Sequence, residues 1–205
     1  DFDKGYNSKI FSPHISEDLV IDDEVLEEIV NGLYETKDKI IRYDFSAVGA
    51  DVLGNIYEQY LGHILKETPK RAKIVPSRVH RKERGIYYTP THIVDYIVKN
   101  TLGELLKKTK PNKAHNIKVL DPACGSGSFL IRAFDEFIDY YQKHVPGEFG
   151  YLRKIEILKN NIYGVDLDRQ AVEIAQMNLL LKTLYRRQQL PMLKNIKQGN
   201  SLISG

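Results

Sequence analysis

Apolar residues along the chain recur first at helical spacing and then in a mixed pattern. Val25, Leu26, Ile29, Val30, Leu33 and Tyr34 fall on one helical face. Val52, Leu53, Ile56, Tyr57, Tyr60, Leu61, Ile64 and Leu65 fall on another. Apolar pairs every fourth residue predict two amphipathic helices, each burying one face. A third helix is predicted from Thr89-Pro90, with threonine as N-cap and proline in the first turn. Its expected buried face is Ile93, Val94, Ile97, Val98, Leu102, Leu105 and Leu106. Beyond it the pattern predicts a strand over 117–121, a helix over 127–142, a strand over 161–166, a helix over 169–186 and a strand over 195–199. Tyr140 to Asn160, with Pro146, Gly147 and Gly150, reads as a surface loop plus a short helix. Strands alternating with helices predict an α/β fold with a parallel sheet.

The junction at residues 117–130 is the most specific stretch. Ile117, Val119 and Leu120 suit a strand buried on both faces. Asp121-Pro122 ends it, because proline brings no N–H to the ladder. Gly125 and Gly127 remove side chains where the backbone must turn sharply or touch a ligand. Phe129, Leu130, Ala133, Phe134 and Phe137 then follow at helical spacing. A ligand over this turn meets the free N–H groups of a helix start on one side and a carboxylate on the other.

Two common ligands fit poorly. A dinucleotide fingerprint wants a third glycine three residues after the second, where this chain has Leu130. A phosphate loop wants Lys-Ser or Lys-Thr after its glycines, and none follows. Asp121 repels phosphate and attracts an ammonium group. A ligand with an amino-acid head and a ribose fits better, and S-adenosylmethionine is one. Asp166 ends the next strand, where a carboxylate can accept both hydrogen bonds of a ribose diol, or cap a helix. Leu167 can pack on an adenine face, and Asp168 is the expected cap of the helix after it. That helix has Ala171, Val172, Ile174, Ala175, Leu179 and Leu181 as its expected apolar face. Asn200, after the third strand, can pair with an adenine amino group or form a turn.

These residues resemble the gamma-class N6-adenine DNA methyltransferases. Val119 to Leu130 looks like their motif I, and Gly85 to Val94 like motif X. Gly164-Val165-Asp166-Leu167-Asp168 resembles motif II, and Gly199-Asn200-Ser201-Leu202 resembles motif III. Leu53 to Gly62 is similar to the helix before motif X in type IIG (type IIS-like) restriction-modification enzymes and related phage-defence methyltransferases. The resemblance runs from about residue 48 to the end and implies a partial Rossmann-like, S-adenosylmethionine-dependent methyltransferase core preceded by a small helical region. It implies that Tyr88, Thr89 and Pro90 contact the methionine end of the cofactor, and that Asp121 lies near its ammonium. Pro122, Ala123, Cys124, Gly125, Gly127 and Phe129 complete the turn around it. Asp166 and Leu167 take the ribose side and Asn200 the adenine edge, although many members carry aspartate at that last position.

The resemblance also implies methyl transfer to N6 of a flipped-out adenine, through an Asn/Asp-Pro-Pro-Tyr/Phe motif whose ring stacks on the extruded base. That tetrapeptide is absent here; Pro122, Pro146 and Pro191 each stand alone. The family places it one element after motif III, so it is expected after Gly205. Asp1 is not an initiator methionine, and the expectation is an N-terminal fragment of the methyltransferase region, inactive alone. Its parent would be a site-specific enzyme acting on double-stranded DNA, with nuclease and target-recognition domains in the same chain. A methyltransferase acting on RNA or protein, and a non-catalytic subunit that keeps the cofactor pocket, are the competing readings.

Charge divides the chain. Residues 1–60 carry 5 basic and 14 acidic side chains, whereas residues 61–120 carry 14 and 4. The near-neutral total therefore hides a dipolar chain. This suggests an acidic helical region (1–65), a basic linker (66–84) and the partial core (85–205). The linker, with Lys70, Arg71, Lys73, Arg78, Arg81, Lys82 and Arg84, either follows a DNA backbone or is simply solvated. One cysteine excludes an internal disulfide, and the histidines show no metal-ligand spacing. Cys124 reads as a small turn residue rather than a nucleophile. No apolar run reaches membrane-spanning length, so no membrane partner is expected, and the prokaryotic cytoplasm is the expected location.

Overall fold

A computed structural model describes residues 18–36, 38–44, 52, 54, 56–57, 63–68, 71–76, 89–184 and 190–203, with the backbone alone for 63–76. Its centre is a parallel sheet of β3 (Val119–Asp121), β4 (Ile162–Asp166) and β5 (Ile196–Gln198), in that spatial order. The register sets Asp121 beside Gly164 and Asp166 beside Gln198, so the three carboxyl ends share one edge. Helix α4 (Ser128–His144) connects β3 to β4, followed by a 3-10 turn (Pro146–Glu148) and α5 (Tyr151–Asn160). Helix α6 (Arg169–Leu181) connects β4 to β5. This is the α/β alternation expected, and each element overlaps its predicted span.

Helix α4 is the core's spine. Leu130, Phe134 and Phe137 are fully buried and meet Ile157, Leu158, Ile162, Leu179 and Ile196. Two buried or half-buried asparagines fasten the amino ends of the strands. Asn161 Nδ2 donates to the Ile117 carbonyl at 2.6 Å and to Ala114 at 3.2 Å. Asn195 Nδ2 donates to the Leu158 carbonyl at 2.6 Å and also to Ile162. Lys182 Nζ reaches Asp135 at 2.6 Å and ties the end of α6 to α4.

Helix α2 (Thr91–Val98) runs on through a π turn (Lys99–Gly103) into Glu104–Lys107. Its buried apolar side chains are Val94, Val98, Leu102 and Leu106, every fourth position. A regular helix drifts off such a row, and the wider π turn absorbs the drift. Ile93, Ile97 and Leu105, expected inside, are exposed. The helix begins one residue later than predicted: Pro90 is the N-cap and makes no side-chain cap bond, while its carbonyl accepts the Ile93 and Val94 amides. Arg132 Nε joins α4 to Asp95 of α2 at 2.7 Å. The short α3 (Pro111–Ala114) leads into β3.

Three more expectations change. Leu120 is 62% exposed, because α4 and α6 pack one face of the sheet and nothing among the described residues covers Leu120 on the other. A shallow groove of about 640 Å³ lies there, lined by Leu120, Tyr163, Val165, Met192 and Lys197 among others. Helix α1 (Asp23–Tyr34) forms as predicted but buries none of its residues. The predicted second helix is present at Val52, Gly54, Ile56 and Tyr57, yet Ile64 and Leu65 lie in a strand. That strand, β1 (His63–Thr68), pairs antiparallel with β2 (Arg71–Pro76), setting Ile64 opposite Val75 and Leu65 opposite Ile74. Ile64, Ile74 and Val75 are β-branched and favour extended backbone, and Pro69 follows closely in the sequence, which together outweigh the helical pattern. The hairpin crosses the expected boundary at residues 65–66 and places Arg71 and Lys73 in a strand. Lys70, Arg78, Arg81, Lys82 and Arg84 lie outside the described residues. No helix among the described residues is long and apolar enough to cross a membrane.

Candidate functional site

The turn after β3 is built on two left-handed glycines, Gly125 at φ 51° and Gly127 at φ 92°. Gly127 is also the N-cap of α4, so no side chain caps that helix start. A Cβ on Gly127 would lie 3.0 Å from the Ala175 Cβ, so the glycine also lets α4 and α6 approach. Gly164 in β4 has a similar role: a Cβ there would lie 2.7 Å from Leu130 Cδ1 and 3.1 Å from Cys124 Sγ. The Cys124 amide donates to the Val165 carbonyl at 2.9 Å, which lays the turn along β4.

Asp121 and Asp166 converge on this turn. The Asp121 carboxylate accepts the Ala123 amide at 3.1 Å. Burial pushes its pKa above the ordinary carboxylate value, and the negative charge of Asp166 adds to the rise. Asp166 accepts the Gly125 amide on Oδ2 at 2.8 Å and the Asp168 amide on Oδ1 at 2.9 Å. Asp168 caps α6, accepting the amides of Gln170 at 2.9 Å and Ala171 at 3.3 Å, as its position predicts. Among the described residues no lysine or arginine forms an ion pair with Asp121 or Asp166. The site is thus a half-buried anionic edge facing an uncapped helix start, suited to a ligand with a cation and hydroxyl donors.

Cys124 is buried, and its thiol is pushed up to about 12 by burial, with Asp121 and Asp166 adding to the shift. Such a thiol is a packing group, as its sequence context suggests. Pro122 and Ala123 are exposed beside it, and Leu167 is 68% exposed at the rim. The other expected residues are less convergent. Phe129 packs against the core. Asn200 Oδ1 accepts the Leu202 amide at 3.0 Å and forms the turn that was its alternative role. Thr89 is half-buried and Pro90 exposed just before α2, while Tyr88 lies outside the described residues.

The fold also brings in residues that pattern reading passes over. Asn178, expected on no apolar face, is fully buried on α6, and its Nδ2 donates to the Ser126 carbonyl at 3.4 Å. Leu181, expected inside, is exposed. The Tyr57 hydroxyl reaches Asp168 at 3.2 Å. The only hint of these in the sequence is the Gly54–Tyr57 stretch itself, whose partners lie more than 70 residues away.

Residues 48–204 match the family described as N-6 DNA methylase. The type II restriction enzyme and methyltransferase RM.Eco57I of Escherichia coli is 36% identical over 198 residues, covering 89% of this chain and 19% of that protein. The adenine-specific methyltransferase BrxX of Escherichia coli O9:H4 (strain HS) is 28% identical over 190 residues, covering 76% of this chain and 15% of that protein. The chain therefore spans a fifth or less of the length of these relatives.

Proposed function

The chain belongs to the N-6 DNA methylase family, and we propose that it is the S-adenosylmethionine-binding part of an enzyme that methylates adenine N6 in double-stranded DNA. The observation that carries the reading is the convergence of Asp121 and Asp166 on a glycine turn that opens an uncapped helix. Asp121 would face the cofactor's ammonium, with Pro122, Ala123, Cys124, Gly125 and Gly127 forming the floor beneath it. Asp166 retains acceptor capacity beyond its two amide bonds and would take the ribose hydroxyls, with Leu167 beside the adenine. Thr89 and Pro90, with Tyr88 before them, would close the methionine end, and Asn200 the adenine edge. When bound, the cofactor supplies an electrophilic methyl group. This chain's own residues bind and orient it.

The name of RM.Eco57I, a type II restriction enzyme and methyltransferase, favours a restriction-modification setting. We read the whole protein as a type IIG or related phage-defence enzyme of the prokaryotic cytoplasm, with nuclease and target-recognition functions elsewhere in it. An acidic region, a basic segment and a core from residue 85 remain our proposed division, with the acidic–basic boundary moved ahead of β1 and the basic segment offered to the DNA backbone. The 205 residues contain no adjacent prolines, hence no Asn/Asp-Pro-Pro-Tyr/Phe motif. The catalytic group is proposed to lie outside them.

Two experiments test this. Calorimetric titration should show binding of S-adenosylmethionine and none of NAD; the opposite result overturns the cofactor assignment. Incubation of the 205-residue chain with double-stranded DNA and labelled S-adenosylmethionine should leave the DNA unmethylated. Formation of N6-methyladenine would show that the missing motif is dispensable.

A further inference from the structure

A stretch far from the turn in sequence touches both loops that form the site. The Tyr57 hydroxyl lies 3.2 Å from each Asp168 carboxylate oxygen and 3.2 Å from Gln170 Oε1. It has one proton, and the carboxylate is the stronger acceptor. Three residues earlier, a Cβ on Gly54 would lie 2.6 Å from Ser126 Oγ and 3.5 Å from Asn178 Nδ2. Gly54 therefore lies against the glycine turn, while Tyr57 holds the loop after β4.

Those two loops meet at Asp166. Its Oδ2 accepts from Gly125 of the turn, and its Oδ1 accepts from the Asp168 amide. A continuous path therefore runs from the Tyr57 hydroxyl through Asp168 to Asp166 and on to Gly125. The lone pairs that Asp166 can still offer a ligand point where these two amides leave them.

We propose that Tyr57 is a positioning residue that aims the Asp166 carboxylate at a ribose diol by holding Asp168. The inference rests on the reading of the site as a nucleoside-bearing cofactor pocket. Tyr57 touches no ligand in this scheme. Its hydroxyl restrains Asp168, and Asp168 restrains the backbone that orients Asp166. Without the hydroxyl, Asp168 still caps α6 through Gln170 and Ala171. The fold survives, but the orientation of Asp166 loosens.

The test is Tyr57→Phe, which removes only the hydroxyl. Wild type and variant are titrated calorimetrically with S-adenosylhomocysteine and with its 2′,3′-dideoxy analogue, and their ligand-free melting is recorded. The variant should bind S-adenosylhomocysteine about tenfold more weakly, on the scale of one charge-assisted hydrogen bond. Its affinity for the dideoxy analogue should match wild type. In an Asp168→Ala background, which leaves the hydroxyl no acceptor at that position, Tyr57→Phe should cost nothing further. Equal loss for both ligands, or loss for neither, overturns the positioning role. A wild-type chain that binds neither ligand fails differently: the cofactor reading falls, and the role of Tyr57 falls with it.

Discussion

The Gly125 amide donates to the Asp166 carboxylate at 2.8 Å, so the turn after β3 and the acid ending β4 behave as one unit. The bond spans 41 residues of sequence and crosses between adjacent strands. Asp166 thereby shapes the floor of the site as well as its rim.

Removing that carboxylate should hurt both fold and binding. Asp166→Ala deletes the acceptor for two backbone amides and should destabilise the chain by about 2 kcal/mol in urea unfolding. Asp166→Asn keeps one oxygen and should cost less. Both should weaken S-adenosylmethionine binding, Ala more than Asn, as read by calorimetry. Full affinity in Asp166→Ala would remove the ribose role.

Glycine substitutions should separate by geometry. Gly127→Ala places a Cβ 3.0 Å from Ala175 at a φ of 92°, and should cost about 3 kcal/mol. Gly164→Ala meets Leu130 and Cys124 without a positive φ, and should cost about 2 kcal/mol. Gly147 has nothing within 4 Å of its Cβ, so Gly147→Ala should lie within about 0.5 kcal/mol of wild type. Denaturant midpoints of the three variants check the order.

Asp121 makes stability fall as pH rises. Burial raises its folded pKa above the unfolded value, so the folded state holds the proton more tightly. Its favourable contribution is full below the ordinary aspartate range and is lost as pH climbs through the raised value. Asp121→Asn should flatten this part of the pH–stability curve and be more stable than wild type at neutral pH. A cationic ligand prefers the carboxylate, so S-adenosylmethionine affinity should rise over the same window. A curve unchanged by Asp121→Asn would show that the group does not titrate there.

The Cys124 thiol should be inert in the folded chain. At pH 8 a group pushed up to about 12 holds almost no thiolate, and it is buried. Iodoacetamide should leave the native chain unmodified by mass spectrometry and label it stoichiometrically in urea. Rapid labelling of native protein would contradict the burial.

Local pattern was enough for the parallel α/β segment and its turn. The strand ends at Asp121 and Asp166, the glycines at 125 and 127 and the Asp168 cap follow from residue chemistry acting within a few positions. The same pattern misjudged Leu120 and the apolar face of α1. Both are apolar enough to bury, but burial needs a partner surface, and none among the described residues covers them. It also misjudged Ile64 and Leu65, whose apolar spacing suits a helix but whose backbone pairs with β2.

Propensity, turn chemistry and capping are properties of neighbouring residues, so the sequence alone was sufficient for the alternation of strands and helices from β3 to β5, the carboxylates at the strand ends and the likeness to the N6-adenine methyltransferases. Contacts between distant residues decided the rest: Gly164 under Leu130, the π turn that keeps Val94 to Leu106 in one row, and Asn178 buried beneath Ser126. They also decided that Tyr57 reaches Asp168 and that Asn200 spends its side-chain oxygen on its own turn. Each depends on which surfaces meet once the chain has folded, a quantity that no local window of residues carries.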